Sequence, residues 1–306
     1  PFLSRVVLSR PSALGRSYRA TVSRLPAPLQ AWLPRGRRDE DYRLRQRQAL
    51  VLLGFLAYWK DRERPWGKPQ TRISAGSILP AIRVGLRDSD AVVRGTAAHA
   101  AACLGAEAAP LVSELTRLVA ETNEVARLSA VMALGHIGPG ASNAVPALAT
   151  FLHGANLVEH QVATLALGRI GDPARSAGTT LVRALDAPET DTRHLAARAL
   201  YQIGRTPPEA VPGLRRLTNQ SHPAGLRQAA ALALWNLDRH DPAALAAVSN
   251  LIAQAPLAGL LELNSASLDE TASSLVPLLA TLTNHPQAMV RRKAALALSN
   301  MTRVKP

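Results

Sequence analysis

Four apolar positions recur along the chain with one spacing. Ala130, Ala133, Leu134 and Ile137 stand at i, i+3, i+4 and i+7, the pattern of a helix with one buried face. The same set reads Ala163, Ala166, Leu167, Ile170, then Ala196, Ala199, Leu200, Ile203, then Ala230, Ala233, Leu234, Leu237. A looser copy, Ala97, Ala100, Ala101, Leu104, precedes them, and Ala294, Ala297, Leu298, Met301 comes last. A cationic or histidine residue keeps step with these faces. Arg94, Arg127, His160, Arg193 and Arg227 are separated by 33, 33, 33 and 34 residues, and Arg291 follows after 64, close to two further periods. The chain is built on an internal repeat, and a repeat of this length means one supersecondary unit copied many times.

Each repeat predicts two helices. The second carries the four apolar positions and ends at Gly105, Gly138, Gly171 or Gly204, where a left-handed cap needs a residue without Cβ. The first opens with Leu79-Pro80, Val145-Pro146, Val211-Pro212 or Val276-Pro277, and proline suits a first helical turn. Asp90, Asn123 and Asn156 precede second helices and are placed to cap them. A lone hairpin cannot bury its apolar face, but stacked neighbours bury it jointly. The expected fold is all-α, a right-handed α-α superhelix of about seven units over 73–306. The sixth unit, about 242–266, is irregular, with Leu257 to Leu263 in place of a full second helix. Residues 41–72 read as a divergent helix around Gln48 to Leu56 followed by a loop, and 1–40 as a largely irregular arm.

Residues 78–302, with their in-register copies, resemble the HEAT-repeat family, and specifically its short form named after phycobilisome lyases. The resemblance implies an armadillo-type solenoid whose second helices line a concave face. It implies little about function, because this fold serves many unrelated roles.

Composition and charge sharpen the picture in two places. Aromatics are only 4% of the chain although apolar residues are 47%, so the core is Ala, Leu and Val, suited to closely packed helices. The net charge of +14 is concentrated at the start: residues 1–38 hold eight Arg and no acid, whereas 73–306 is only +3. The basic arm suits a nucleic acid, a membrane surface or an organelle-targeting role as well as a partner-bound tail. The longest clean apolar run, Ala49 to Trp59, falls short of the roughly 20 residues of a membrane span. A single cysteine, Cys103, leaves no disulfide framework and fits a reducing, cytoplasmic setting.

No catalytic constellation emerges. HEAT-type hydroxylases that bind iron use His-Glu dipeptides, and none of the eight histidines here precedes Glu. There is no phosphate loop and no nucleophile elbow. No cofactor and no metal are expected. The recurring Arg reads as structural, bonding a carbonyl or an acid of a neighbouring repeat.

Variation points to binding instead. A stripe facing away from the core changes from repeat to repeat: Gly95, His99, Cys103; Leu128, Met132, His136; Gln161, Leu165, Arg169; His194, Arg198, Gln202; Gln228, Leu232, Asn236; Arg292, Leu296, Asn300. Beside it, the position held by Gly135 and Gly168 becomes Tyr201 and Trp235. Aromatic and Arg side chains are enriched in binding hot spots. The expectation is a non-enzymatic scaffold gripping a protein partner with Tyr201 and Trp235 as anchors, and His194, Arg198, Gln202, Asn236, Arg169 and His136 around them. Two alternatives stand beside it: nucleic-acid binding through the N-terminal arm, and a bilin-lyase-like enzyme.

Overall fold

The computed structural model describes residues 75–204, 206–238, 241–254 and 275–302. The expectations for the arm at 1–40, for 41–72 and for the second helix of the sixth unit lie outside them. Every regular element among the described residues is helical.

Two compact units are formed, one ending at Ile170 and one beginning at Gly171. In the first, α1 (Ala75–Leu86) pairs with α2 (Ala91–Leu104), α3 (Val112–Leu118) with α4 (Glu124–Ile137), and α5 (Val145–Thr150) with α6 (Leu157–Ile170). In the second, α7 (Gly178–Ala184) pairs with α8 (Thr190–Ile203) and α9 (Val211–Leu217) with α10 (Ala224–Leu237). Next come α11 (Pro242–Gln254), the first helix of the sixth unit, and a last pair, α12 (Val276–Leu282) and α13 (Ala288–Thr302). First helices are short because much of each opens as a 3-10 turn, as at Gly105–Leu111, Gly138–Ala144 and Asp172–Ala177. Proline sits at the start of α5, α9 and α12 as expected, but α1 begins upstream and carries Pro80 inside it.

The core is the repeating apolar face. Ala130, Ala133, Leu134 and Ile137 are buried, as are their counterparts on α2, α6 and α8. Leu237 and Leu298 are only half-buried; Leu237 ends α10, and Leu298 lies in the final repeat. Second helices stack directly on one another, α2 on α4, α4 on α6, α8 on α10. Small residues permit that approach: a Cβ on Gly135 would lie 2.8 Å from Ala166 Cα.

The caps form largely as read. Asp90 accepts from the Val92 amide at 2.8 Å, Asn123 from Ala126 at 3.0 Å, and Asn156 from Val158 at 3.0 Å. The glycine caps differ in kind. Gly204 is left-handed, but Gly105, Gly138 and Gly171 combine φ of 58°, 72° and 75° with ψ between −133° and −143°. That region is essentially restricted to glycine, so these turns depend on it more strictly than a left-handed cap would.

The recurring Arg is a turn clamp. Its Nη1 donates to two carbonyls of the turn before its own helix: Asp88 and Ser89 for Arg94, Glu121 and Thr122 for Arg127, Ala187 and Pro188 for Arg193, His285 and Pro286 for Arg291. In the first unit it also ties repeats together. Arg94 pairs with Glu121 at 2.6 Å, and Arg127 pairs with Glu159. The structural role expected for this residue is present in its geometry, with turn carbonyls of its own repeat and acids of the next.

Candidate binding surface

Helical angle decides what each position on a second helix meets. Taking Met132 as the outermost point of α4, the buried face centred on Ala130, Leu134 and Ile137 lies opposite, while Gly135 turns toward the following repeat and touches Ala166. Val125, seven residues earlier, returns to within about 20° of Met132. The exposed face of the second helices therefore carries the positions equivalent to 125, 128, 132 and 136.

In the first unit this face is partly apolar. Val92, Val125 and Val158 occupy one position in three successive repeats and are 45%, 63% and 50% exposed. Met132 is 42% exposed, and Leu165, its equivalent on α6, is half-buried. Between α4 and α6 a shallow groove of about 150 Å³ is lined by Met132, Gly135, His136, Val162, Leu165, Ala166 and Arg169. His136 and Arg169, both exposed, stand at the C-terminal ends of their helices in equivalent positions. Partial burial, with the charges of Arg169 and His99 nearby, holds the His136 imidazole below its ordinary value. Cys103 occupies the matching place on α2, its Sγ 4.0 Å from His99 Nε2, and burial pushes its thiol up, so it is a poor nucleophile.

The other six predicted residues belong to the second unit. Arg198 is exposed on α8, and His194, Tyr201 and Gln202 are half-buried there. Asn236 of α10 donates Nδ2 to the Tyr201 carbonyl at 2.8 Å, which joins the two helices. Trp235 contradicts the expectation of an exposed anchor: it is fully buried, and its indole N–H finds no hydrogen-bond partner among the described residues. The reason is register. Residues 201 and 235 fall at the Gly135 position, which faces the seam to the following repeat rather than the open face. At α10 the seam fronts α11, and a large side chain fills it. Tyr201 at the same position is half-buried, so the aromatics are seam residues first.

Of the residues singled out from the sequence, His136 and Arg169 are brought by the structure into one groove. The sequence reading omits Met132, Leu165 and the valine row from the site. The signal for the valines was present as the 33-residue step from Val92 to Val125 to Val158, off the core face. Among the described residues no group of His, Cys, Asp and Glu is arranged to hold a metal ion, and no helix is long and apolar enough to cross a membrane.

Stacked antiparallel hairpins, glycine-closed and Arg-clamped, define a helical-repeat protein. The family description "HEAT repeats" matches residues 146–235 and 178–267, and "HEAT repeat" matches 275–304. The chain belongs to the HEAT-repeat family; neither description is that of the phycobilisome-lyase form. No curated protein matches the chain. Similar solved structures include a computationally designed armadillo repeat protein for modular peptide recognition, 19% identical over 71% of this chain and 98% of that one, TM-score 0.49. Another is a designed armadillo repeat protein in complex with the peptide (KR)4, 20% identical over 73% of this chain and 99% of that one, TM-score 0.44.

Proposed function

We propose that this protein is a non-enzymatic scaffold that binds a protein partner on the exposed face of its second helices. The observation that carries the reading is the apolar surface left open in the first unit. Val92, Val125 and Val158 repeat in register over three units and, like Met132, stay exposed rather than joining the core. Isolated exposed apolar residues are ordinary, but an aligned set beside a groove is the kind of surface a partner covers. In the second unit, His194, Arg198, Tyr201, Gln202 and Asn236 would form a polar contact surface of its own, without the buried Trp235. The N-terminal arm, with its eight Arg, would serve a nucleic acid as a separate function.

A photo-crosslinking amino acid at position 132 tests the proposal in cells, with one at Arg117, exposed on the first helix α3, as the control. Protein adducts are expected from position 132 and not from 117. Equal labelling at both positions, or none at 132, would overturn the proposal.

A further inference from the structure

The chemistry of the first unit's open face also selects a class of partner. This step rests on the protein-binding reading above. The charged groups on α2, α4 and α6 divide into two sets. Arg94, Arg127 and Glu159 lie on the flank and are consumed by one another's repeats, through the Arg94–Glu121 and Arg127–Glu159 pairs. His160 shares that flank position in the repeat register. The open face is left with His99, His136 and Arg169, all exposed; His136 and Arg169 stand at its C-terminal edge, and His99 lies one turn earlier, level with Met132. The one carboxylate outside the flank pairs, Glu124, stands in the first turn of α4, about 18 Å along the helix from His136. Met132, Leu165, Leu128 and the valine row make most of the rest apolar, with Gly95, Cys103 and Gln161 completing it. Within α2, α4 and α6 the face is therefore apolar beside a C-terminal edge that carries Arg169 and His136 and no carboxylate, with the exposed Glu107 and Asp172 in the turns that follow α2 and α6.

We propose that the exposed face of α2, α4 and α6 docks an extended acidic segment of a protein partner. Its carboxylates would meet Arg169 and His136, and its apolar side chains would meet Met132, Leu165 and the valines. Charge complementarity argues for this occupant over the chain's own arm. Residues 1–38 carry +8, so the chain's own arm is not complementary to a cationic edge. An RNA would gain from the cations but would find no aromatic platform among Val, Met and Leu on which to stack bases. Second helices pack roughly 8–10 Å apart, and an extended chain advances about 3.3 Å per residue. Three helices would thus engage a segment of about ten residues.

Binding a carboxylate at this edge would also move a proton. His136 is held low by partial burial and by Arg169 and His99, the groups that face it from α6 and α2. A bound carboxylate offsets those like charges, raises the imidazole and draws a proton on docking. Affinity should therefore increase as pH falls from neutrality toward 6.

The test uses the full chain and fluorescent peptides of about ten residues, alternating Glu or Asp with Val or Leu. Matched controls replace every acid with Gln, every acid with Lys, or every apolar residue with Ser. The acidic apolar peptide should bind, and each control should bind at least about tenfold more weakly. Arg169→Glu should cost the acidic peptide about tenfold or more at low salt, and less at high salt. His136→Gln should flatten the pH dependence. Both positions are exposed, and unchanged circular dichroism would confirm folding. Equal affinity for the Gln or Lys peptide, preference for single-stranded RNA, or an Arg169→Glu variant with full affinity would overturn the acidic assignment. Failure of the acidic peptide while position 132 still crosslinks to protein would sink this inference and leave the scaffold reading intact. Loss of those crosslinks would sink both.

Discussion

At Trp235 the indole is completely enclosed on α10, on the side that the repeat turns toward α11. Its burial makes it a packing element. Trp235→Ala should cost about 3–5 kcal/mol in denaturant unfolding, as large-to-small core changes do. An unchanged unfolding midpoint would show that the indole does not pack. Glu114 makes a second residue-scale case. It is buried, which opposes its charge. Hydrogen bonds from Ser113 at 2.8 Å and Arg87 at 2.7 Å, and the Arg83 guanidinium, nonetheless hold its carboxyl below the usual range. A depressed carboxyl contributes stability above its unfolded value of about 4.3 and loses it as pH falls through the folded value. Glu114→Gln should be less stable than the parent at neutral pH. The gap should narrow as pH falls below about 4.3 and be lost once the pH is below the lowered folded value. A gap independent of pH would contradict this account.

Elements are held together by close backbone approach and by the Arg clamp. At Gly135 the facing Ala166 Cα leaves no room for a Cβ, and the contact is backbone rather than a movable side chain. Gly135→Val should force α4 from α6 and cost about 1–3 kcal/mol or more. Full stability in that variant would mean that the helices separate without cost. The clamp makes a complementary case. Arg127 satisfies two turn carbonyls and a partly buried Glu159, whose loss would strand all three. Arg127→Met keeps the aliphatic stem and removes the charge, and should lower stability by about 1.5–3 kcal/mol. Pairing this change with Glu159→Gln in a double-mutant cycle separates the ion pair from the carbonyl bonds. The same arithmetic explains why an Arg recurs here: the chain reverses between helices once per repeat, and each reversal leaves carbonyls that need a donor.

For the whole molecule, stability is a sum of repeats and their neighbouring interfaces. Leu167 is fully buried on α6. Leu167→Ala should cost about 2–5 kcal/mol, and hydrogen exchange should show the loss spreading first to the adjacent hairpin. A loss confined to α6 would argue against nearest-neighbour coupling. The two compact units are each closed by the same devices. The chain's charge is equally local: the excess of cations lies in residues 1–38, and the repeat region is near neutral, so an acidic edge on a partner would read the local groups His99, His136 and Arg169 rather than the net charge.

Periodicity alone determined the hairpin repeat, the apolar face, the Asp and Asn caps, the glycine turns and the structural part of the Arg. Each of these follows from local geometry: a 3.6-residue helix turns a spacing into a face, and a repeated spacing into a stack. Which outward positions are open was decided only by tertiary structure. Positions 132 and 135 are neighbours on one helix and both lie off the core, yet one is solvent and the other is the seam to the next repeat. That difference depends on how hairpins lean on one another, which no single helix encodes. It is why the sequence placed Trp235 at the surface and passed over Val92, Val125 and Val158. It is also why His136 and Arg169, 33 residues apart, could be recognised as one cationic edge only once α4 and α6 were seen side by side.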